Sequence, residues 1–176
     1  MRTDGFELLV LPDRVQIQFP PAADDADAYL ARVLGGIAKT LPHTPYSAIG
    51  LNNKYEVRPA DSAGFAAWNR KTFASPWALA QTQSKAQERF GCSFAYDAFD
   101  GARMRIRAEV SAKTPAGAGE PGGEATLASY VVTLNCNLHR DLKDLDVEPT
   151  RELTRMLSRW KRVREQTRSL ARSLMR

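Results

Sequence analysis

The sequence has two cysteines and two histidines, the sulfur and nitrogen ligands that a structural zinc site uses most. Cys136 and His139 are three positions apart in a stretch that alternates apolar and polar residues. In a β-strand, an odd separation points two side chains to opposite faces of the sheet, so these two residues cannot easily share one ion. His43 lies in a turn between Pro42 and Pro45, with no second ligand nearby in the sequence. Because a zinc site needs a cluster of such ligands, we predict no metal site.

The two cysteines are too few and too far apart to form a disulfide framework, which indicates a reducing compartment. If the strands that contain them form a meander, we expect Cys92 and Cys136 to lie about eight residues apart along the sheet, roughly 26 Å at the rise of a strand. No apolar run approaches the roughly 18 residues that a membrane span needs, and residues 1–5 are not followed by an apolar signal region. We therefore expect a cytoplasmic protein that does not enter a membrane.

Hydrolase and nucleotide chemistry have no signature in this sequence. There is no Gly-x-Ser-x-Gly motif, and the Gly- and Pro-rich stretch 114–123 lacks the Gly-Lys-Ser/Thr ending of a phosphate-binding loop. Aspartates in turns and loops could supply carboxylates but usually cap or solvate the backbone; the candidates are Asp97, Asp100, Asp141, Asp144 and Asp146. We predict no catalytic residue and no cofactor, and hence a protein that is not an enzyme. A ligand pocket between sheet and helices is a third class that no residue supports.

Positive charge is concentrated at the C-terminus. Residues 151–176 carry nine basic and two acidic side chains, whereas the preceding residues sum to a small net negative charge. Basic side chains in this position could contact nucleic-acid phosphates or an acidic protein surface. The candidates in the C-terminal segment are Arg155, Arg159, Arg162, Arg168 and Arg172, and those in an earlier strand are Arg103, Arg105 and Arg107.

The same C-terminal segment has apolar residues at steps of three and four, which predicts one long amphipathic helix of about seven turns. We call these residues the apolar seam: Leu153, Met156, Trp160, Val163, Leu170 and Leu174, with Thr167 interrupting the series. Pro149 suits the first turn of this helix. The seam packs either on the protein's own sheet, with the arginines solvated, or on another copy or another subunit. In a further alternative, the arginine side of the helix meets phosphates or an acidic surface.

The rest of the chain alternates strand and helix signals. Residues 7–11 and 14–19 read as a β-hairpin, and residues 46–58 as a long extended segment in which Asn52 and Asn53 favour an edge position or a bulge. Between them, one helix has its apolar face formed by Leu30, Val33, Leu34, Ile37 and Leu41. Its Gly35-Gly36 pair should cost about 1 kcal/mol per residue relative to alanine, and either permits close packing or only lowers stability. Residues 61–71 and 75–89 read as two further helices. The aromatic residues of this region are expected in the core: Phe65, Trp68, Phe73 and Trp77.

A second hairpin spans residues 92–113 around an Asp-Gly turn, and its register has two readings. A two-residue turn places Phe94 and Tyr96 opposite arginines, giving a mixed face of the kind that binds single-stranded nucleic acid. A three-residue loop places them opposite Ile106 and Met104, so that one face is apolar and the other basic. Burial favours the second register. Residues 127–139 then alternate again and complete a meander.

The segments "LPDRVQIQF" and "IGLNNKYEV", with this order of elements, resemble a sporadically distributed family of uncharacterised bacterial proteins. The resemblance implies an accessory or host-defence role and carries over no catalytic residue. We predict an α+β fold, an antiparallel sheet with helices covering one face, with residues 1–148 as one domain and 149–176 as a basic amphipathic helix. The predicted function is a non-enzymatic interaction protein that oligomerises or docks through that helix. The alternative is a nucleic-acid-binding module.

Overall fold

A computed structural model of the chain describes residues 6–11, 14–19, 26–58, 64–76, 89–113, 129–143 and 148–174. The strands are β1 (Glu7–Val10), β2 (Val15–Gln18), β3 (Ala48–Val57), β4 (Cys92–Asp97), β5 (Arg103–Lys113) and β6 (Ser129–Asp141). The helices are α1 (Ala26–Thr40), α2 (Phe65–Phe73), α3 (Pro149–Ser158) and α4 (Trp160–Ser173). These elements confirm the predicted α+β class. None of these helices is long and apolar enough to cross a membrane.

The chain divides into two compact units. The first comprises Met1–Ile49 and Asp141–Arg162, and the second comprises Gly50–Arg140 and Val163–Arg176. Each unit therefore combines part of residues 1–148 with part of the C-terminal segment. Two features of the sequence analysis lie largely or wholly outside the described residues: the helix over 75–89 and the Gly- and Pro-rich stretch 114–123.

The first unit is built on a hairpin, two helices and an aromatic cluster. Strands β1 and β2 pair antiparallel, as their alternating residues predicted. Phe6 and Phe19, at the ends of this hairpin, both contact Tyr29 of α1, with ring centroids 4.5 and 6.1 Å from the Tyr29 ring. Helix α1 packs against α3. Leu41 was expected on the apolar face of the first helix, but it lies just past the end of α1 and is exposed.

The second unit contains an antiparallel sheet with strand order β3-β6-β5-β4. Phe94 lies opposite Ile106 and Tyr96 opposite Met104, which confirms the register expected for a three-residue loop. The backbone N–H of Ala98 donates to the carbonyl of Ala102 at 2.8 Å and closes this loop.

Two residues of this three-residue loop have a positive φ, 51° at Asp100 and 71° at Gly101. Glycine takes such angles without steric cost, and aspartate tolerates them better than most other residues. The Asp-Gly pair therefore suits this turn at both positions, and not only at the glycine.

The two faces of the sheet differ in polarity. Alternate residues of β5 and β6 are buried on one face and form much of the core: Met104, Ile106, Ala108, Leu134, Cys136 and Leu138. On the same face, Tyr55 of β3 contacts Thr167 of α4, and Phe65 of α2 stacks on Tyr130 of β6 at 4.8 Å. The helices therefore cover this face. The opposite face carries the exposed side chains of Arg103, Arg105 and Arg107.

The C-terminal segment is two helices and not the one continuous helix that was predicted. The backbone N–H of Arg159 donates to Met156 at 3.1 Å, which is the shorter spacing of a 3₁₀ turn. Helix α3 ends at Ser158 and α4 begins at Trp160. No proline or glycine stands at this point, so the sequence gives no signal for the interruption.

Candidate interaction surfaces

The apolar seam is buried inside the chain's own fold. Leu153 and Met156 of α3 are 9% and 0% exposed, and Val163 of α4 is 0% exposed. Leu170 and Leu174 are half-buried, as is Trp160, whose Nε1 atom is enclosed. The buried side chains of Leu153, Met156 and Val163 have little or no surface to offer another subunit while the helices stay in place. The buried part of the seam therefore belongs to the chain's own fold.

The arginines of the C-terminal helices fall into two groups. Arg155 is half-buried and forms a 2.7 Å ion pair with the buried carboxylate of Glu152, and Arg159 is half-buried at the helix interruption. Arg162, Arg168 and Arg172 are exposed. Only the second group presents its full charge to solvent, so it is the part of the helix that remains available to an acidic partner.

The arginines of β5 lie on the exposed face of the sheet. Arg103, Arg105 and Arg107 alternate along the strand, so their Cα atoms are about 6.8 Å apart at the rise of an antiparallel strand. Their partners in β6 are His139, Asn137 and Asn135. The Asn137 side chain donates to that of Asn52, which fixes part of the polar surface beside Arg105.

The two basic groups within the second unit do not form one surface. Asn52 shares the face of Arg105 through its bond to Asn137, whereas Tyr55, an odd number of residues away in β3, points to the helix side. Tyr55 contacts α4, which carries Arg168 and Arg172. The sheet therefore lies between these helix arginines and the arginines of β5, and one phosphate chain would not contact both groups at once.

Strand β4 presents a surface that the sequence reasoning did not identify. Phe94 and Tyr96 are each 48% exposed, although they lie on the same face as the core residues of β5. Their rings are 6.4 Å apart and nearly parallel, at 20°. Among the described strands, β4 pairs with β5 alone, so its other side is a sheet edge. We call this strand, with its two rings, the β4 edge.

The start of β4 is held by two close contacts. The side chain of Asn69, which is 0% exposed, accepts from the backbone N–H of Phe90 at 2.7 Å and donates to the carbonyl of Phe90 at 2.8 Å. A Cβ atom on Gly91 would lie 2.4 Å from the carbonyl oxygen of Ala108. The chain that leads into β4 is therefore held by a side chain of α2 and lies close to the backbone of β5.

The two cysteines are closer together than predicted. Cys92 pairs with Ala108, which pairs with Leu134, so Cys136 lies two residues further along the sheet and not eight. The two thiols are separated by about 10 Å across two strand spacings and by about 7 Å along the strands, too far for a disulfide. Both cysteines are free. The earlier expectation was wrong because the long connection between β5 and β6 leaves their register open.

The electrostatics of the thiols follow their burial. Burial raises the pKa of the Cys136 thiol to about 11, and it also raises the pKa of Cys92. Cys136 is enclosed on the core face, while His139 lies half-buried on the other face, as their odd separation predicted. Within the part of the chain that the structure describes, no group of three or more His, Cys, Asp or Glu residues could hold a metal ion.

Comparisons with protein-family models, with curated proteins and with solved structures found no match to this chain. The resemblance to a family of bacterial proteins therefore stays a prediction. Two surfaces of the described residues could contact a partner: the β4 edge and the sheet face that carries Arg103, Arg105 and Arg107.

Proposed function

We propose that this chain is a non-enzymatic interaction protein that oligomerises or docks into a larger bacterial complex. The observation that carries the proposal is the β4 edge, where Phe94 and Tyr96 are about half exposed beside backbone groups that pair with no second strand among the described residues. Aromatic rings contribute strongly to interfaces because each removes a large apolar area from water with little loss of side-chain freedom. An open strand edge adds a row of hydrogen-bonding groups that a partner strand can satisfy.

The C-terminal helices take a different part in this proposal from the one that the sequence suggested. Their apolar seam stabilises the fold, and their exposed arginines offer a second contact surface for an acidic partner. We also propose a cytoplasmic location, which the two free cysteines support.

Photocrosslinking in the native host tests this function. A benzophenone amino acid replaces Tyr96 on the β4 edge, Arg168 on the outside of α4, or the exposed Lys39 of α1 as a matched control. We expect a discrete covalent adduct at Tyr96, reduced by Phe94→Lys, and no such adduct at Lys39. The proposed function is rejected if neither Tyr96 nor Arg168 gives an adduct above the Lys39 background.

A second candidate function is binding of single-stranded nucleic acid on the exposed sheet face. The observation that favours it is the row of Arg103, Arg105 and Arg107 beside the amides of β6. Phe94 and Tyr96 lie on the other face, so this surface would contact phosphates and not stack bases on those two rings. Binding would therefore be largely independent of sequence.

Salt dependence separates this candidate from the first. Fluorescence anisotropy with a labelled single-stranded oligonucleotide should give log affinity falling with log salt, with a slope of about 0.7 per neutralised phosphate. Arg105→Gln should weaken binding and reduce the slope, whereas Arg168→Gln, on the other side of the sheet, should change neither. Failure to bind at low salt removes the candidate.

A further inference from the structure

We infer that the β4 edge pairs with the β4 edge of a second copy of this chain, joining two four-stranded sheets into one antiparallel sheet. The inference rests on the proposed function and names the partner of that same surface. It follows from the direction of the backbone groups of β4, from the positions of its two aromatic rings and from its charge.

The backbone groups that β4 leaves open can be assigned from the hairpin. The N–H of Ala98 points toward β5, where it donates to Ala102. Because these directions alternate along a strand, the N–H and C=O groups of Ser93, Ala95 and Asp97 point away from β5. These three residues form the hydrogen-bonding side of the β4 edge, and all three are exposed.

Only one antiparallel register lets all three of these residues form backbone hydrogen bonds with the β4 strand of a second copy. With Ala95 opposite Ala95 of the second copy, Ser93 lies opposite Asp97 and Asp97 opposite Ser93, so every outward residue of β4 forms a hydrogen-bonded pair. A shift by two residues leaves one outward residue of each β4 strand without a partner in the other. A shift by one residue aligns outward groups with inward groups and removes the bonds altogether. The small Ala95 side chain then lies at the twofold axis.

The same register brings the aromatic rings together. Phe94 lies opposite Tyr96 of the second copy, at a position without backbone hydrogen bonds, where opposing Cα atoms approach to about 4.5 Å. Two such pairs form, related by the twofold axis, on the apolar face of the joined sheet. Rings that are half exposed in one chain are thereby placed against two rings of the other.

Charge permits pairing at this edge and opposes it at the other edge of the sheet. Strand β4 carries a single charge, Asp97, which faces the hydroxyl of Ser93 in the second copy. The opposite edge of the sheet, β3, carries the exposed Lys54 and Glu56 within the strand, and charged side chains of this kind usually protect a strand edge from pairing. Strand β4 contains no lysine or proline that would do the same.

The inference is tested by measuring the solution mass of the full chain by analytical ultracentrifugation at about 1 to 100 µM. This range spans the dissociation constants of interfaces of moderate affinity. We expect a mass near twice the 19.5 kDa of one chain. Ala95→Pro removes an outward N–H without breaking a bond to β5, and it should weaken the dimer at least about tenfold. Phe94→Lys should do the same. Val10→Lys, at another exposed apolar strand residue, should leave the mass unchanged, and circular dichroism checks that each variant is folded.

Cysteine crosslinking then tests the register. In a Cys92→Ser background, Ala95→Cys places two thiols at a pair whose Cα atoms are about 5.5 Å apart, which suits a disulfide. Oxidation should crosslink this variant efficiently and Ser93→Cys poorly, because residue 93 meets residue 97 and not itself. A chain that stays monomeric at the highest concentration overturns the inference. So does a dimer that persists in the folded Ala95→Pro variant, or one in which Ser93→Cys crosslinks as efficiently as Ala95→Cys. A Tyr96 photoadduct with a different polypeptide, together with a monomeric chain, overturns the self-pairing and leaves the proposed function standing.

Discussion

The hydroxyl of Tyr55 lies 2.8 Å from the hydroxyl of Thr167, and this contact joins strand β3 to helix α4. Thr167 is only 3% exposed, and its Oγ1 also lies 2.9 Å from the carbonyl oxygen of Val163. The residue that interrupts the apolar seam is therefore one of two polar contacts of Tyr55 with this helix, the other being the backbone carbonyl of Arg164 at 3.2 Å. A buried hydroxyl is tolerated here because its hydrogen bonds are made inside the fold.

Thr167→Val should lower the free energy of unfolding by about 1–2 kcal/mol, because the hydroxyl of Tyr55 loses a partner in a half-buried position. Urea denaturation measures the change, and a double-mutant cycle with Tyr55→Phe should show coupling. Thr154→Val is the matched control, since the Thr154 hydroxyl is exposed and bonds only within its own helix. Equal losses at residues 154 and 167 would contradict the assigned contact.

Two glycines should respond to alanine in opposite directions. A Cβ atom on Gly36, in the interior of α1, would meet nothing within 4 Å, so Gly36→Ala should raise stability by up to about 1 kcal/mol. This open space shows that Gly36 does not serve close packing, which settles the alternative left by the sequence. Gly91→Ala should destabilise the protein, because its Cβ would lie 2.4 Å from the carbonyl oxygen of Ala108. Thermal unfolding of both variants compares them directly, and a stabilised Gly91→Ala would contradict the close approach.

Met156→Ala tests whether the apolar seam belongs to the fold. Met156 is 0% exposed, so truncation should cost about 2–5 kcal/mol through lost burial and the cavity left behind. Arg162→Ala, on the exposed side, should change stability by less than about 0.5 kcal/mol. Chemical denaturation gives both values. If Met156→Ala instead lowered only the solution mass, with unchanged stability, the seam would be an intermolecular contact after all.

The buried thiol of Cys136 predicts a loss of stability at alkaline pH. Burial raises the pKa of this thiol to about 11, above its ordinary value of 9.0. The unfolded chain therefore releases this proton first as the pH rises, and the free energy of unfolding should fall between about pH 9 and pH 11. Cys136→Ala should make that fall shallower when denaturation is followed at several pH values. Burial also raises the pKa of Tyr55, so part of the decline at the highest pH should persist in the variant.

The sequence by itself determined which side of each element is apolar. Period-two alternation in β5 and β6 assigned their apolar and polar faces, and that separation also favoured the observed hairpin register over the alternative, because a slip of one residue would have mixed the two faces. Steps of three and four likewise predicted the apolar seam and the basic side of the C-terminal helices.

Only the tertiary structure decided what covers each apolar side. Pairing across the chain placed β3 beside β6, left β4 at an edge with Phe94 and Tyr96 half exposed, and put the arginines of β5 across the sheet from those of α4. It also set the short separation of Cys92 from Cys136 and the turn at Arg159. The physical reason is that periodicity is a local property of the chain. Strand order, register across a long connection and exposure at an edge depend on residues far apart in sequence, which no spacing of neighbouring side chains encodes.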